Sequence, residues 1–250
     1  MSVIQSWMIL MFFALAGLPS GATASEGRVL WRSSTIEGDA RPVRYLVYVP
    51  ASYVRIGQDH PLLVGFHGTA GTPEQILQIP GLVQLAEEHG FLVVCPATSG
   101  WYGRDFWSGR PRPLSVRSDL HVADVLDRTL AEFRVDPERV YVLGVSKGGA
   151  GAWHWAFREP GRWAGVAAIS PATYSPRQPW ARIASIPAIV IQGAEDRAVS
   201  VSANRRLART MKELGGTHRY VELPGVGHDL SKVDVAGEVF RFFLQVETVP

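Results

Sequence analysis

A serine hydroxyl becomes a nucleophile only when a base takes its proton and the backbone lifts its Oγ clear of the chain. Gly144-Val145-Ser146-Lys147-Gly148, followed by Gly149-Ala150-Gly151, has the residue types for both. Small residues on either side of Ser146 let a sharp strand-to-helix turn close without a Cβ clash. Seven histidines are candidates for the base: His60, His67, His89, His121, His154, His218 and His228. His228 lies in Leu223-Pro224-Gly225-Val226-Gly227-His228-Asp229, a loop directly after the last predicted strand, which is where such a base belongs. His154 follows Ser146 on the same predicted helix and reads as packing, His67 reads as structural, and His89 and His121 read as helix-surface residues.

The imidazolium formed during attack needs a buried carboxylate to hold its tautomer and stabilise its charge. Asp196, in Ile191-Gln192-Gly193-Ala194-Glu195-Asp196, follows the strand before the His228 strand and can turn inward at the tip of its loop. Glu195 is its chief rival, and Asp229 is a weaker one because adjacent side chains rarely face each other. Charge developing on an attacked carbonyl oxygen needs donors already aimed at it. The glycine-rich bend Phe66-His67-Gly68-Thr69-Ala70-Gly71 exposes backbone N–H groups after a strand, and the N–H of Lys147 directly follows the nucleophile.

These residues meet only if the chain alternates strands and helices. The residues 28–34 and 43–49 read as two antiparallel opening strands, and Pro61-Leu62-Leu63-Val64-Gly65-Phe66 as a strand buried on both faces. Helical spacing runs from Glu74 to His89, broken at Pro80 and closed by Gly90, before a strand at 91–95. Then come a helix over 117–133, a strand over 140–145, a helix over 148–157 and a strand over 163–170. A strand at 188–192, a helix at 200–214, a strand at 218–223 and a closing helix at 232–246 complete the pattern. Parallel strands cannot be joined by a tight turn, so continuous apolar strands alternating with helices predict an α/β fold with helices on both faces of a mostly parallel sheet. Ligands then bind beyond the carboxyl ends of the strands, where Ser146, Asp196 and His228 all fall.

Composition bounds the rest. With 46% hydrophobic residues among 250, the chain can bury a sizeable core and is not a disordered one. Lys plus Arg (25) nearly cancels Asp plus Glu (23), which argues against a phosphate-backbone binder, so no nucleic acid partner is expected. The single cysteine, Cys95, excludes an intramolecular disulfide and any thiolate-only metal site, and its apolar run reads as core. Asp119, His121 and Asp124 come nearest to a metal set, but their spacing reads as a helix flank and no metal is expected. An apolar run from Ile4 to Leu18 followed by Ala22-Thr23-Ala24 reads as a secretory signal peptide over 1–24, cleaved to leave one domain over 25–250 in a secreted or periplasmic setting. An uncleaved anchor is the alternative, because no Lys or Arg precedes the run. No stable membrane association is expected after cleavage.

The order Ser146, Asp196, His228, with His67-Gly68 upstream, resembles the α/β-hydrolase superfamily over nearly the whole mature chain. Within it, the chain looks like the secreted serine esterases grouped with feruloyl esterase, polyhydroxybutyrate depolymerase and the small carboxylesterases. The resemblance implies an eight-stranded sheet with nucleophile, acid and base after strands five, seven and eight. It also implies acyl transfer through an acyl-enzyme, an oxyanion hole made by the N–H groups of Thr69 and Lys147, and no cofactor. Trp101, Tyr102 and Trp107, after the Cys95 strand, are candidate substrate-binding residues for an aromatic ring or sugar, or else a plug for a long loop. Only about 17 residues separate the strands ending at Ser170 and starting at Ala188, so a minimal lid and an open site for a small or polymer-linked ester are expected. Trp153 and Trp155 are expected on opposite sides of the Ser146 helix, at least one in the core. The competing readings are a prolyl-oligopeptidase-like peptidase and a non-catalytic binding protein that keeps the fold.

Overall fold

A computed structural model of the chain describes residues 27–35, 42–54, 57–98, 113–172 and 179–247, with 113–116 described as backbone only. The segment expected to be a signal peptide lies outside these residues. In chain order the elements are β1 (Arg28–Ser34), β2 (Val43–Val49), β3 (His60–Phe66), α1 (Glu74–Leu77), α2 (Leu82–His89), β4 (Leu92–Pro96), α3 (Pro113–Glu132) and β5 (Val135–Val145). They continue with α4 (Lys147–Arg158), β6 (Gly165–Ile169), β7 (Ala188–Gly193), α5 (Val201–Glu213), β8 (His218–Leu223) and α6 (Val235–Glu247).

The eight strands form one sheet in the order β1-β2-β4-β3-β5-β6-β7-β8. The β1-β2 and β2-β4 pairs are antiparallel and the rest parallel, as expected of a mostly parallel sheet. Successive strand residues face opposite layers. Leu62, Val64, Phe66 and Val142 therefore pack with Val122 and Leu126 of α3, Trp153 and Ala156 of α4, and Leu207 and Met211 of α5. Leu63, Tyr141 and Leu143 pack with Ile76 of α1, Leu82 and Ala86 of α2, and Val239, Phe240 and Phe243 of α6. Each fully buried side chain of this size contributes roughly 1.5–3 kcal/mol, which makes the two layers the main stabilising term.

Several boundaries and environments differ from expectation. Helix α3 starts at Pro113 rather than at residue 117, because a proline in the first helical turn removes only an N–H that has no partner inside the helix. Strand β5 starts at Val135 rather than 140: His60 pairs with Val135 and Leu62 with Val140, so a bulge absorbs the charged, proline-containing residues between. Trp153 and Trp155 are both core, in the same layer, because α4 is buried on nearly all sides. The Trp163 indole Nε1 donates to the Trp155 carbonyl at 3.0 Å, and Trp153 meets Trp180 edge to face. His89 is half-buried and stacks on Phe240 rather than lying on the surface.

His121 is the clearest correction. It is buried, and its Nδ1 lies 2.7 Å from Ser34 Oγ, joining α3 to β1. Burial drives its pKa from 6.5 down to about 4, against the upward pull of Asp124. Between those values the unfolded imidazole holds a proton that the folded one does not, so stability rises with pH across this window and falls as acid is added. We expect this one residue to remove about 2–3 kcal/mol between pH 7 and pH 4.5. Urea unfolding of wild type and His121→Gln at both pH values checks this: the variant should lose less stability on acidification than wild type.

Candidate active site

Ser146 sits at the junction of β5 and α4 with φ 55 and ψ −115, a backbone region that costs a non-glycine residue about 1–3 kcal/mol. Backbone hydrogen bonds hold it there. Its N–H donates to Ile169 O at 2.8 Å, and its carbonyl accepts from Ala172 N at 3.0 Å and Ala150 N at 3.3 Å. The flanking glycines are required by close approach: a Cβ on Gly144 would overlap the Gly148 carbonyl, and one on Gly148 would overlap the Phe66 carbonyl at the end of β3. The turn therefore closes against two strands at once, with the serine above the sheet's carboxyl edge.

The loops after β7 and β8 are built as a pair. Ala194 N donates to Leu223 O and Glu195 N to Val226 O, both at 2.9 Å. A Cβ on Gly193 would overlap the Gly227 carbonyl, so only glycine lets these loops come so close. Asp196 is turned inward with its side chain wholly buried, whereas Glu195 is exposed. Asp229 is also exposed, and its carboxylate accepts from Ser231 N. Of the three carboxylates weighed from sequence, Asp196 is the one that meets the imidazole.

His228 Nδ1 lies 2.7 Å from Asp196 Oδ2, and His228 Nε2 lies 3.1 Å from Ser146 Oγ. An ionised carboxylate only accepts, so the Nδ1 proton belongs to the histidine and Nε2 is left as an acceptor for the serine hydroxyl. Asp196 Oδ1 accepts from Ala198 N at 2.8 Å and Val199 N at 3.0 Å, and Oδ2 also accepts from Gln192 Nε2 at 2.9 Å. Burial pushes the Asp196 pKa up, but the donors, His228 foremost, outweigh it and hold the carboxyl below its ordinary value. The arrangement can draw a proton from Ser146 Oγ and bear the resulting imidazolium.

The bend after β3 reaches the same place. A Cβ on Gly68 would stand 3.5 Å from Ser146 Cβ, so this bend passes directly beside Ser146. Gly71 N donates to Gly68 O at 3.1 Å, with Ala70 at φ 54. Thr69 is exposed on this bend, and Lys147 is the first residue of α4, where helical geometry directs N–H groups out of the helix end. His67 is buried; its Nδ1 donates to Gly68 O at 2.9 Å while Nε2 accepts from Thr98 N at 3.2 Å, bracing the bend against the end of β4. Burial lowers its pKa, in keeping with a neutral ring. His154 Nε2 stands 3.0 Å from Asp119 Oδ1, an α4–α3 contact away from this edge.

Two residues that sequence reasoning passed over stand behind Asp196. Gln192 and Asn204 are fully buried and linked, with Asn204 Nδ2 donating to Gln192 Oε1 at 2.6 Å. The available signal was a glutamine ending an otherwise apolar strand, and an asparagine in register with Leu207 and Met211 on the buried face of α5. Trp101, Tyr102 and Trp107 lie outside the described residues. Among the described residues there is no cluster of His, Cys, Asp or Glu that could hold a metal, and no helix long and apolar enough to cross a membrane.

A family model for esterases matches residues 36–221, a span that includes Ser146 and Asp196. S-formylglutathione hydrolase of Rattus norvegicus is 30% identical over 143 residues, 49% of this chain and 50% of that protein. Feruloyl esterase B of Neurospora crassa is 27% identical over 157 residues, covering 56% of this chain and 52% of that protein. The chain thus spans about half the length of the curated relatives it matches. Among solved structures, a thermostable esterase superposes with a TM-score of 0.72 at 22% identity, covering 87% of this chain and 62% of the other. S-formylglutathione hydrolase from Agrobacterium tumefaciens superposes with a TM-score of 0.67 at 19% identity, covering 90% of this chain and 97% of the other. The family match over most of the chain, on an eight-stranded sheet of α/β-hydrolase architecture, makes this chain a member of the esterase family.

Proposed function

We propose that the chain is a serine hydrolase of carboxylic esters. The observation that carries this reading is the line from buried Asp196 through His228 to Ser146 Oγ, with gaps of 2.7 and 3.1 Å. Ser146 Oγ attacks the ester carbonyl carbon as its proton passes to His228 Nε2. The negative oxygen of the tetrahedral intermediate sits on the N–H groups of Thr69 and Lys147, one such donor being worth about 3–4 kcal/mol. Collapse breaks the bond to the alcohol oxygen, which takes the proton from His228 and leaves an acyl-serine. Water then gives a proton to His228 as it attacks the acyl carbon; collapse breaks the bond to Ser146 Oγ, which takes that proton back from His228, and the acid is released. Cys95 has no part in this, since it is buried in β4 and burial pushes its thiol pKa well up.

The names of the relatives, feruloyl esterase B and acetylxylan esterase A among them, favour a small or polymer-linked ester. The aromatic residues Trp101, Tyr102 and Trp107 are the proposed substrate contacts. The apolar segment Ile4–Leu18 and the Ala22-Thr23-Ala24 site support export, with residues 1–24 a cleaved signal and 25–250 the catalytic domain, secreted or periplasmic. Initial rates on short-acyl, aryl and polyester esters, set against aminoacyl amides, test the reaction class. Esters should be cleaved with kcat/KM at least about 100-fold above the matched amides. A preference for amides would make the chain a peptidase, and turnover of neither would leave a binding protein.

A further inference from the structure

A carboxylate that orients a catalytic imidazole must itself be held, and the groups that hold Asp196 extend well beyond the loop that bears it. Gln192 Nε2 donates to Asp196 Oδ2 at 2.9 Å, the same oxygen that takes the His228 proton. Gln192 Oε1 accepts from Asn204 Nδ2 at 2.6 Å, and Asn204 Nδ2 also donates to Pro171 O at 3.1 Å. The next residue, Ala172, donates its N–H to the carbonyl of Ser146 at 3.0 Å. The chain of contacts therefore closes on itself. It runs from Ser146 Oγ through His228, Asp196, Gln192 and Asn204 to the 171–172 segment, and back to the Ser146 backbone.

The polarity of this path is set by chemistry. An ionised Asp196 accepts only, which fixes the Gln192 amide with its nitrogen toward the carboxylate and its oxygen toward Asn204. Asn204 must then present its nitrogen, and the Pro171 carbonyl suits that same nitrogen. Both amides are fully buried, so a flipped amide would face like against like with no water to relieve it. Ser170, just before this segment, is held at φ 41, a strained region for a non-glycine residue that the surrounding contacts must maintain.

We propose that Gln192 and Asn204 form a positioning bridge that fixes the Asp196 carboxylate, and through it the His228 ring, relative to the segment that anchors Ser146. This rests on the reading of Ser146, His228 and Asp196 as the catalytic groups. Neither bridge residue touches substrate. Loss of the Gln192 donor leaves Oδ2 with more charge facing His228 Nδ1 and leaves the carboxylate freer to swing.

Gln192→Met keeps the length and removes the hydrogen bonds; Asn204→Ala cuts the path one link further out. Esterase kinetics as a function of pH provide the readout. Gln192→Met should lower kcat about tenfold or more with KM changed less than about twofold. Its acid limb in kcat/KM should move up by about half a pH unit, and Asn204→Ala should move the same way by less. Leu207→Ala, which removes buried packing one turn further along α5, should lower the melting temperature and leave the acid limb where it is. Folded Gln192→Met with wild-type kcat and acid limb overturns the bridge, as does Leu207→Ala shifting the limb equally. Should Gln192→Met not fold, Asn204→Ala decides by the same criteria. Ser146→Ala run alongside separates the two claims: if it stays active the catalytic reading fails, and if it is inactive while the bridge variants behave as wild type only the bridge fails.

Discussion

Ser146→Ala should lower kcat by on the order of 10^6 while the protein remains folded. The size follows from how the three side chains act together. Without Oγ there is no hydroxyl for His228 Nε2 to deprotonate, so the imidazole and Asp196 have nothing to activate, and only the proposed oxyanion donors and substrate binding remain to accelerate attack by water. KM should change little, because the hydroxyl contributes little to ground-state binding. The fold should tolerate the change: the strained backbone at residue 146 is held by the Ile169, Ala172 and Ala150 hydrogen bonds, none of which involves the side chain. Steady-state kinetics with circular dichroism check both parts. A folded variant with more than about 1% of wild-type kcat would be inconsistent with an oxygen nucleophile at this position.

Gly148→Ala should damage both the fold and the activity. A methyl group there would meet the carbonyls of Phe66, the last residue of β3, and His67, the first residue of the bend after it, backbone atoms that cannot rotate away. Helix α4 has to retreat from the sheet, and it begins at the residue directly after Ser146. Overpacking of this kind costs about 1–3 kcal/mol, enough to lower the melting temperature by roughly 3–10 °C in a domain of this size. Displacement of the nucleophile by about 1 Å costs on the order of 100-fold in kcat. Gly161→Ala is the control, since nothing lies within 4 Å of its added Cβ and it should behave as wild type. Thermal melts and kcat of the two variants check this pair.

Much of this architecture was legible in the chain. The bounds of β1, β2 and β8 agree residue by residue with the alternating and β-branched stretches that predicted them. The break at Pro80 divides α1 from α2 as the missing N–H requires. Ser146, Asp196 and His228 were nameable because each follows a strand, and parallel strands deliver their carboxyl ends to one edge. What local pattern could not supply was the environment of residues whose partners are distant in sequence. His121 occupies a helix position that a polar residue usually exposes, and only the packing of β1 on α3 buries it against Ser34, 87 residues away. Trp153 and Trp155 fall on opposite sides of a helix, but α4 is enclosed by the sheet, Trp163 and Trp180, so both sides are interior. Gln192 and Asn204 are unremarkable as single residues. Their meaning arises when β7 and α5 bring them together behind Asp196.

Asp196 also owes its selection over Glu195 and Asp229 to contacts between distant loops. All three are acidic residues in loops at the correct edge. The choice depends on the close approach of the two loops that Gly193 permits and on two interloop hydrogen bonds that turn Asp196 inward and leave its neighbour in solvent.

The proposed chemistry depends on one serine hydroxyl being activated by the imidazole beside it. Incubation with a fluorophosphonate probe, followed by intact mass and peptide mapping, tests this without knowledge of the natural substrate. A single adduct should form on Ser146, absent in Ser146→Ala and formed far more slowly in His228→Ala. No adduct on folded wild-type protein, or an equal one on Ser146→Ala, would contradict it.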